Sequence, residues 1–290
     1  MPLNSTKLNR FTKELKTMFP GYSLLFKCPV CLCDFSETDV KKGRLCDAHI
    51  IPEKLGGINK TIVCTSCDSK IGHEIEGPII NHLTNLSIMN LKKNGKVYGS
   101  SQIVIEGESY PAKISANKGK GWTIEMLDPY RAERLFEQAK KKPFRFTALF
   151  RKSHKATNQS FRAFSLKIAY LAAFEHYGYK YILQDQLNWL RNALCRPQSC
   201  EAPYKCSFMI GAYPFRYEYL LIRYPLTGFD ASIFIGKLGN LGTLVLLPPF
   251  EQDPNKPFSG YGLENGHQVT VTLAEDFHSV VSIDFQPLIR

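Results

Sequence analysis

Apolar residues recur at helical spacing in the first twenty positions, where Leu8, Phe11, Leu15, Met18 and Phe19 stand among lysines; the pattern predicts an amphipathic helix packed on the cysteine-rich segment after it. A tight turn opens at Cys28-Pro29-Val30-Cys31. After a polar stretch from Asp34 to Arg44 comes Leu45-Cys46-Asp47-Ala48-His49-Ile50-Ile51-Pro52, whose β-branched end and closing proline predict a short strand. Gly56-Gly57 then breaks the chain, and Thr61-Ile62-Val63-Cys64 reads as the return strand of a hairpin. From Asp68 to about Leu91, Ile71, Ile75, Ile79 and Ile80 fit a helix or two, interrupted at Gly77-Pro78. The expected order is strand, hairpin turn, strand, helix.

Residues 96–127 alternate in short apolar runs (Ile103 to Ile105, Ile114, Trp122 to Met126) between Gly-rich turns, which predicts a small antiparallel sheet. Asp128-Pro129 has the form of a helix start, and the helix is expected to run to the three lysines ending at Lys142. The most strongly apolar helix is expected over Asn158 to Tyr177, carrying Phe161, Phe164, Leu166, Ile168, Leu171 and Phe174, with a shorter one from Gln184 to Leu194. Aromatic strands are expected at 207–213, 215–224, 231–235, 243–247 and 269–273, with Pro248-Pro249 and 252–262 as loops. The fold class expected is α+β in three segments: a compact module at 1–95, a β-rich and helical extension at 96–157, and an α+β C-terminal domain at 158–290.

A chain of 290 residues with 44% hydrophobic and 12% aromatic content is that of a folded protein. No run of eighteen apolar residues occurs, and the first residues lack the apolar core of a secretion signal, so the cytoplasm is the expected location. The net charge of +11 is unevenly placed. Residues 1–160 hold 26 Lys/Arg against 15 Asp/Glu, which accounts for the whole +11, whereas residues 161–290 hold 11 of each. A phosphate-neutralising surface would need such an excess; a solvated basic face explains it equally well.

The nine cysteines sort by spacing. Cys28-x-x-Cys31 and Cys64-x-x-Cys67, with 32 residues between the pairs, suit a structural zinc held by four thiolates, since each step presents two sulfurs to one ion. Cys33 and Cys46 are alternative members of that set. Cys195, Cys200 and Cys206 are irregularly spaced and are read as structural, with a second metal site as the lesser alternative. A module this small buries little apolar surface, so zinc would contribute on the order of 10 kcal/mol or more to its folding.

Zinc at those positions would clamp both ends of the hairpin and draw His49 and Asp68 together. A neutral histidine can take a proton from water near pH 7, and a carboxylate at a helix start can hold a hard cation such as magnesium or manganese. Such a pair is suited to phosphodiester hydrolysis, with the bare alternative a zinc scaffold whose histidine is structural. Lys54, Lys60 and Lys70, spaced around these residues, are the candidate phosphate contacts.

Ala48-His49-Ile50-Ile51-Pro52-Glu53-Lys54-Leu55-Gly56-Gly57, with Cys64-Thr65-Ser66-Cys67-Asp68-Ser69-Lys70-Ile71-Gly72 and Ile75-Glu76, resembles the bacterial HNH endonucleases that carry four zinc-binding cysteines. The likeness covers about Cys28 to Glu76, a sixth of the chain. It implies a zinc-stapled ββα-metal fold for that part, His49 as general base, Asp68 (where the family usually has asparagine) as a ligand of a catalytic divalent cation, and nucleic acid, chiefly DNA, as substrate. One departure is Ala48, where the family usually has a residue that completes the cation site. Asp47, if a twist or bulge turns it inward, and His73, otherwise an exposed helix residue, are the substitutes considered. Residues 161–195 faintly resemble the segment that comes after the module in stand-alone members. The same residues allow two further readings: a zinc-stapled nucleic-acid-binding module that does not cleave, and a factor whose C-terminal domain binds a protein partner, a signal or a second copy and controls a nuclease serving defence or a mobile element.

Overall fold

The computed structural model describes residues 3–89, 95–96, 101–105, 108–117, 121–133, 137, 146–150, 158–197, 207–212, 217–222, 232–239, 241–248, 267–273 and 280–287. In chain order, helix α1 (Ser5–Met18) is followed by the two-residue strands β1 (Phe26–Lys27) and β2 (Asp34–Phe35), helix α2 (Glu37–Lys41), and the hairpin β3 (Leu45–His49) and β4 (Lys60–Cys64). Helix α3 (Thr65–Ile71) passes through a π-helical turn, Gly72–Glu76, into α4 (Gly77–Met89). Strands β5 (Gly95–Lys96), β6 (Ser101–Ile105), β7 (Glu108–Asn117), β8 (Gly121–Met126) and β9 (Phe146–Phe150) come next, then helices α5 (Asn158–Ile182) and α6 (Asn188–Cys195). Strands β10 (Ser207–Ala212), β11 (Tyr219–Ile222), β12 (Ser232–Leu238), β13 (Leu241–Leu247), β14 (His267–Leu273) and β15 (Val280–Pro287) complete the order. The class is α+β, and all its strand pairings are antiparallel among the described residues.

These elements form two compact units, one made of 1–76 with 158–290 and the other of 77–157. The sequence reading has three consecutive segments, 1–95, 96–157 and 158–290; by contacts, residues 1–76 and 158–290 fall in one unit and 77–157 in the other. The cause lies in α5, whose apolar surface is covered by N-terminal elements as well as by its own sheet.

Helix α1 begins where the Asn4 side chain accepts the Lys7 amide hydrogen, and buries Leu8, Phe11, Thr12 and Leu15. Its Phe11 ring stacks on Phe174 of α5 at 4.3 Å, and Phe26 and Tyr179 meet these rings edge-on. Such an aromatic cluster adds geometric specificity to the area it buries. From Ala163 to Phe174 every residue of α5 is buried, including the polar Ser165 and Lys167. The helix lies against the sheet ordered β10-β13-β12-β11, from which Thr243 donates a buried hydrogen bond to Ser165 Oγ, 3.0 Å away. It runs past the expected Tyr177 limit only through a break at Gly178, whose φ of +67° favours glycine. A Cβ there would stand 2.1 Å from Glu14 Oε2, and that carboxylate also accepts the Lys180 amide hydrogen.

The inserted unit holds α4 and the sheet β5-β7-β6-β9, with β8 added on β7. Strand β7 alternates exposed and buried positions, placing Tyr110, Ala112 and Ile114 with Ile103 and Ile105 in its core. The sheet expected over 96–127 therefore gains a further strand at 146–150. The helix expected from Asp128 to Lys142 is present at 129–133; most of the rest lies outside the described residues, as do the loop at 252–262, Cys200 and Cys206. Strand β15 has no counterpart among the expected strands. Among the described residues no helix is long and apolar enough to cross a membrane.

Candidate metal centre and the adjoining polar cluster

Cys28 and Cys31 occupy a knuckle closed by two backbone bonds, Cys28 N to Cys33 O and Leu32 N to Cys28 O, each 2.9 Å. Leu32 takes φ of +58° to make this turn, a conformation costly for a branched side chain and one that persists where the surroundings enforce it. The second pair straddles the start of α3: Cys64 is its N-cap, and its sulfur accepts the Cys67 amide hydrogen at 3.4 Å. Cys64 N in turn donates to Cys28 Sγ at 3.5 Å.

All four sulfurs lie within 4.8 Å of one another, and Cys31 and Cys64 are 3.9 Å apart. Tetrahedral zinc with bonds of about 2.3 Å separates its sulfurs by about 3.8 Å, so the set is compatible with that ion. Hydrogen bonding to Cys28 first, and then to Cys64 and Cys67, holds Cys31 well below the ordinary thiol range. The Cys64 thiol is lowered to about 7, chiefly by Cys28, while the same sharing of protons pushes Cys28 and Cys67 up. A cluster of this kind is stabilised by a cation that replaces the protons. The four cysteines are thus placed to bind a metal ion, compatible with structural zinc.

Beside this centre the hairpin places Leu45 opposite Cys64 and His49 opposite Lys60. Its far end is anchored by Ile50 N, which donates to Asn59 O. Asp68, in the first turn of α3, remains reachable by solvent. Desolvation on its protein side, followed by the charge of Glu76, pushes its carboxyl up; Lys167, Cys46 and His49 act in the opposite direction. His49, Asp68 and Glu76 therefore share one electrostatic environment. Cys46 lines it too, its thiol raised to about 12 by burial and then by Asp68.

The π turn explains how Glu76 enters this group. An α-helix repeats every 3.6 residues, so positions seven apart nearly superpose. A π turn accommodates one extra residue, which brings positions eight apart, here 68 and 76, onto one face. At that face the Lys167 ammonium, only 2% exposed, meets Glu76 Oε1 at 2.6 Å and donates to the carbonyls of His49 at 2.6 Å and Ile50 at 2.9 Å.

Comparison of the chain with protein-family models, with curated proteins and with solved structures returned no match.

The remaining expected residues lie around this cluster. Asp47 Oδ2 accepts the Asn4 amide hydrogen at the start of α1, while its Oδ1 is buried with no hydrogen-bond partner among the described residues. Ala48 is buried, and His73 is exposed on the π turn. Neither Asp47 nor His73 is among the groups that act most strongly on Asp68. Lys54 is exposed; Lys60 is half-buried, its carbonyl accepting from Lys7 Nζ; Lys70 Nζ donates to Cys195 O at 2.7 Å. Cys33 is exposed beside the knuckle, and Cys195 Sγ points to Val30 O at 3.8 Å, so both stand near the four-sulfur set without joining it.

Two residues of the polar cluster have no role in the sequence reading. Glu76 could have been singled out only by a helix register containing the π turn. Lys167 carries a plainer signal: a lone lysine in a run of apolar residues from Ala163 to Phe174 must be buried, and a buried ammonium requires partners.

Proposed function

We propose that the chain is a metal-dependent endonuclease of the HNH, or ββα-metal, class, acting on DNA. The observation that supports this reading is the Lys167 ammonium, which joins the end of β3 at His49 O to Glu76 Oε1 on the π turn that follows Asp68's helix, beside four cysteines that tie hairpin and helix together. His49, half-exposed at the end of β3, would take the proton of an attacking water. Asp68, with Glu76, would hold the divalent cation. When bound, that cation would supply charge stabilisation for the phosphate and for the departing 3′ oxygen. Magnesium typically binds through one or two carboxylates and retains several waters, so two acidic side chains suffice. The basic N-terminal half, with the exposed Lys54 five residues after His49 in the chain, would neutralise the phosphates of the strand.

Purified protein incubated with plasmid and magnesium or manganese tests the reading. The wild-type chain is expected to cut, and His49→Ala to lose cleavage by at least ~100-fold, the scale of a missing general base. Cutting that survives intact in His49→Ala removes the assignment.

A second reading, binding without cleavage, is favoured by one observation: Glu76 is already paired with Lys167, and among the described residues only the cysteines bring three metal-ligating atoms within 4.8 Å. Gel shifts in EDTA that weaken steeply with salt, with no cutting under any divalent cation, would select it.

A further inference from the structure

We propose that Lys167 is a positioning residue of this site, whose ammonium fixes the strand end that carries His49 against the π turn that carries Glu76 and continues the helix of Asp68. Its catalytic consequence rests on the nuclease reading above; the clamp itself rests on geometry. An ammonium has three donors, and Lys167 finds three acceptors: His49 O, Ile50 O and Glu76 Oε1. The polar demand of the buried head is thereby met in full. Carbonyls of successive residues in an extended strand point to opposite edges, so two of them can reach one nitrogen only where the strand has ended. The chain does bend at Ile50–Ile51, immediately after His49. Lys167 therefore holds the bend and not the ladder.

The same helix reaches the metal centre. Tyr170, one turn on from Lys167, is fully buried and donates at 2.6 Å to the carbonyl of Pro29, inside the first cysteine knuckle. Positions three apart share a helix face. One rigid face of α5 thus touches the zinc knuckle through Tyr170 and the end of the catalytic strand through Lys167, and sets the spacing between them. An apolar residue at 167 would suit the surrounding Leu166 and Ile168, which are both fully buried. Burying an ammonium instead gains little or no stability over a well-packed apolar group, and its attested use is to specify one arrangement.

The test uses the whole 290-residue chain, loaded with zinc. Lys167→Met keeps the length of the side chain and removes the three bonds. Its kcat is expected to fall about 100-fold, the effect of a displacement of about 1 Å, with KM changed less than about threefold and zinc content unaltered. Thr243→Val, which removes a buried hydrogen bond from the opposite side of α5, is the control: it should lower Tm and leave kcat within about threefold. Lys167→Met with kcat near the wild-type value, or Thr243→Val with an equal loss of kcat, overturns the proposal. Should Lys167→Met fail to fold, Lys167→Arg keeps the charge while altering the reach, and is expected to lose at least about tenfold in kcat; wild-type kcat in that variant is equally fatal. If the wild-type chain cuts no DNA at all, the nuclease reading fails by itself. Amide exchange then decides the clamp: faster exchange at residues 48–51 and 75–76 in the Lys167 variant but not in Thr243→Val upholds it, and unchanged exchange overturns it.

Discussion

Replacing Phe174 by alanine tests whether the metal-binding hairpin and the C-terminal sheet form a single cooperative body. The Phe174 ring is fully buried, stacked on Phe11 at 4.3 Å and set edge-on to Tyr179 at 5.2 Å and Phe26 at 6.5 Å. Truncation removes the ring's transfer free energy and leaves a cavity among three aromatic neighbours that cannot collapse far. The expected cost is about 3–5 kcal/mol. With a urea m-value of about 3 kcal/mol per molar, that cost lowers the unfolding midpoint by about 1–2 M. Urea titration should be followed in parallel by far-UV circular dichroism and by a chromogenic chelator that reports metal release. Because Phe11 and Phe26 belong to the N-terminal part and Phe174 to α5, both signals should move together by the same amount. A release curve that stays at its wild-type midpoint while the dichroism curve shifts would refute the single-body argument. Phe174→Leu, which conserves most of the volume, should cost less than about 1.5–2 kcal/mol by the same reasoning.

Other contacts lead to two more expected outcomes. Removing bound metal with a strong chelator, or mutating Cys31→Ser, should unfold the knuckle and the start of α3 together, because Cys64 is at once one of the four sulfurs placed to bind a metal ion and the cap of that helix; loss of the hairpin amide signals on chelation, reversed by zinc, is the readout. Glu218→Ala should destabilise the chain by about 1–3 kcal/mol and speed amide exchange at Ile58 and Asn59, since Glu218 Oε2 accepts from both of their backbone amides, at 3.0 and 2.8 Å, and from Asn59 Nδ2 at 2.7 Å; an unchanged exchange rate there would contradict the assignment.

The parts of the fold that are legible in the sequence are those governed by local periodicity. Leu8, Phe11 and Leu15 mark one face of α1, Gly56-Gly57 marks the turn between β3 and β4, and the two C-x-x-C steps mark the metal centre, because each signal spans only a few residues. Asp68 is legible for the same reason, lying next to Cys67. The illegible parts depend on partners far along the chain. Asp47 looks available as a cation ligand until α1 folds back and delivers the Asn4 amide to it. The bond from the Lys70 ammonium to the carbonyl of Cys195 is likewise invisible in the sequence. The division into three segments likewise reflects composition, whereas the packing reflects Phe11 on Phe174 and Lys167 on His49, pairings that no window of sequence contains.

The interrupted layout of the first unit bears on how the chain is born. The ribosome delivers both cysteine steps, His49 and Glu76 first, then spends the whole inserted unit before Lys167 emerges about ninety residues later. At about 5–20 residues per second that interval is roughly 5–20 s. Throughout it the nascent thiols can capture an ion while the carbonyl of His49 still lacks its buried donor and Glu76 its counter-charge, so assembly of the cluster is timed by translation and completed only when the long helix arrives.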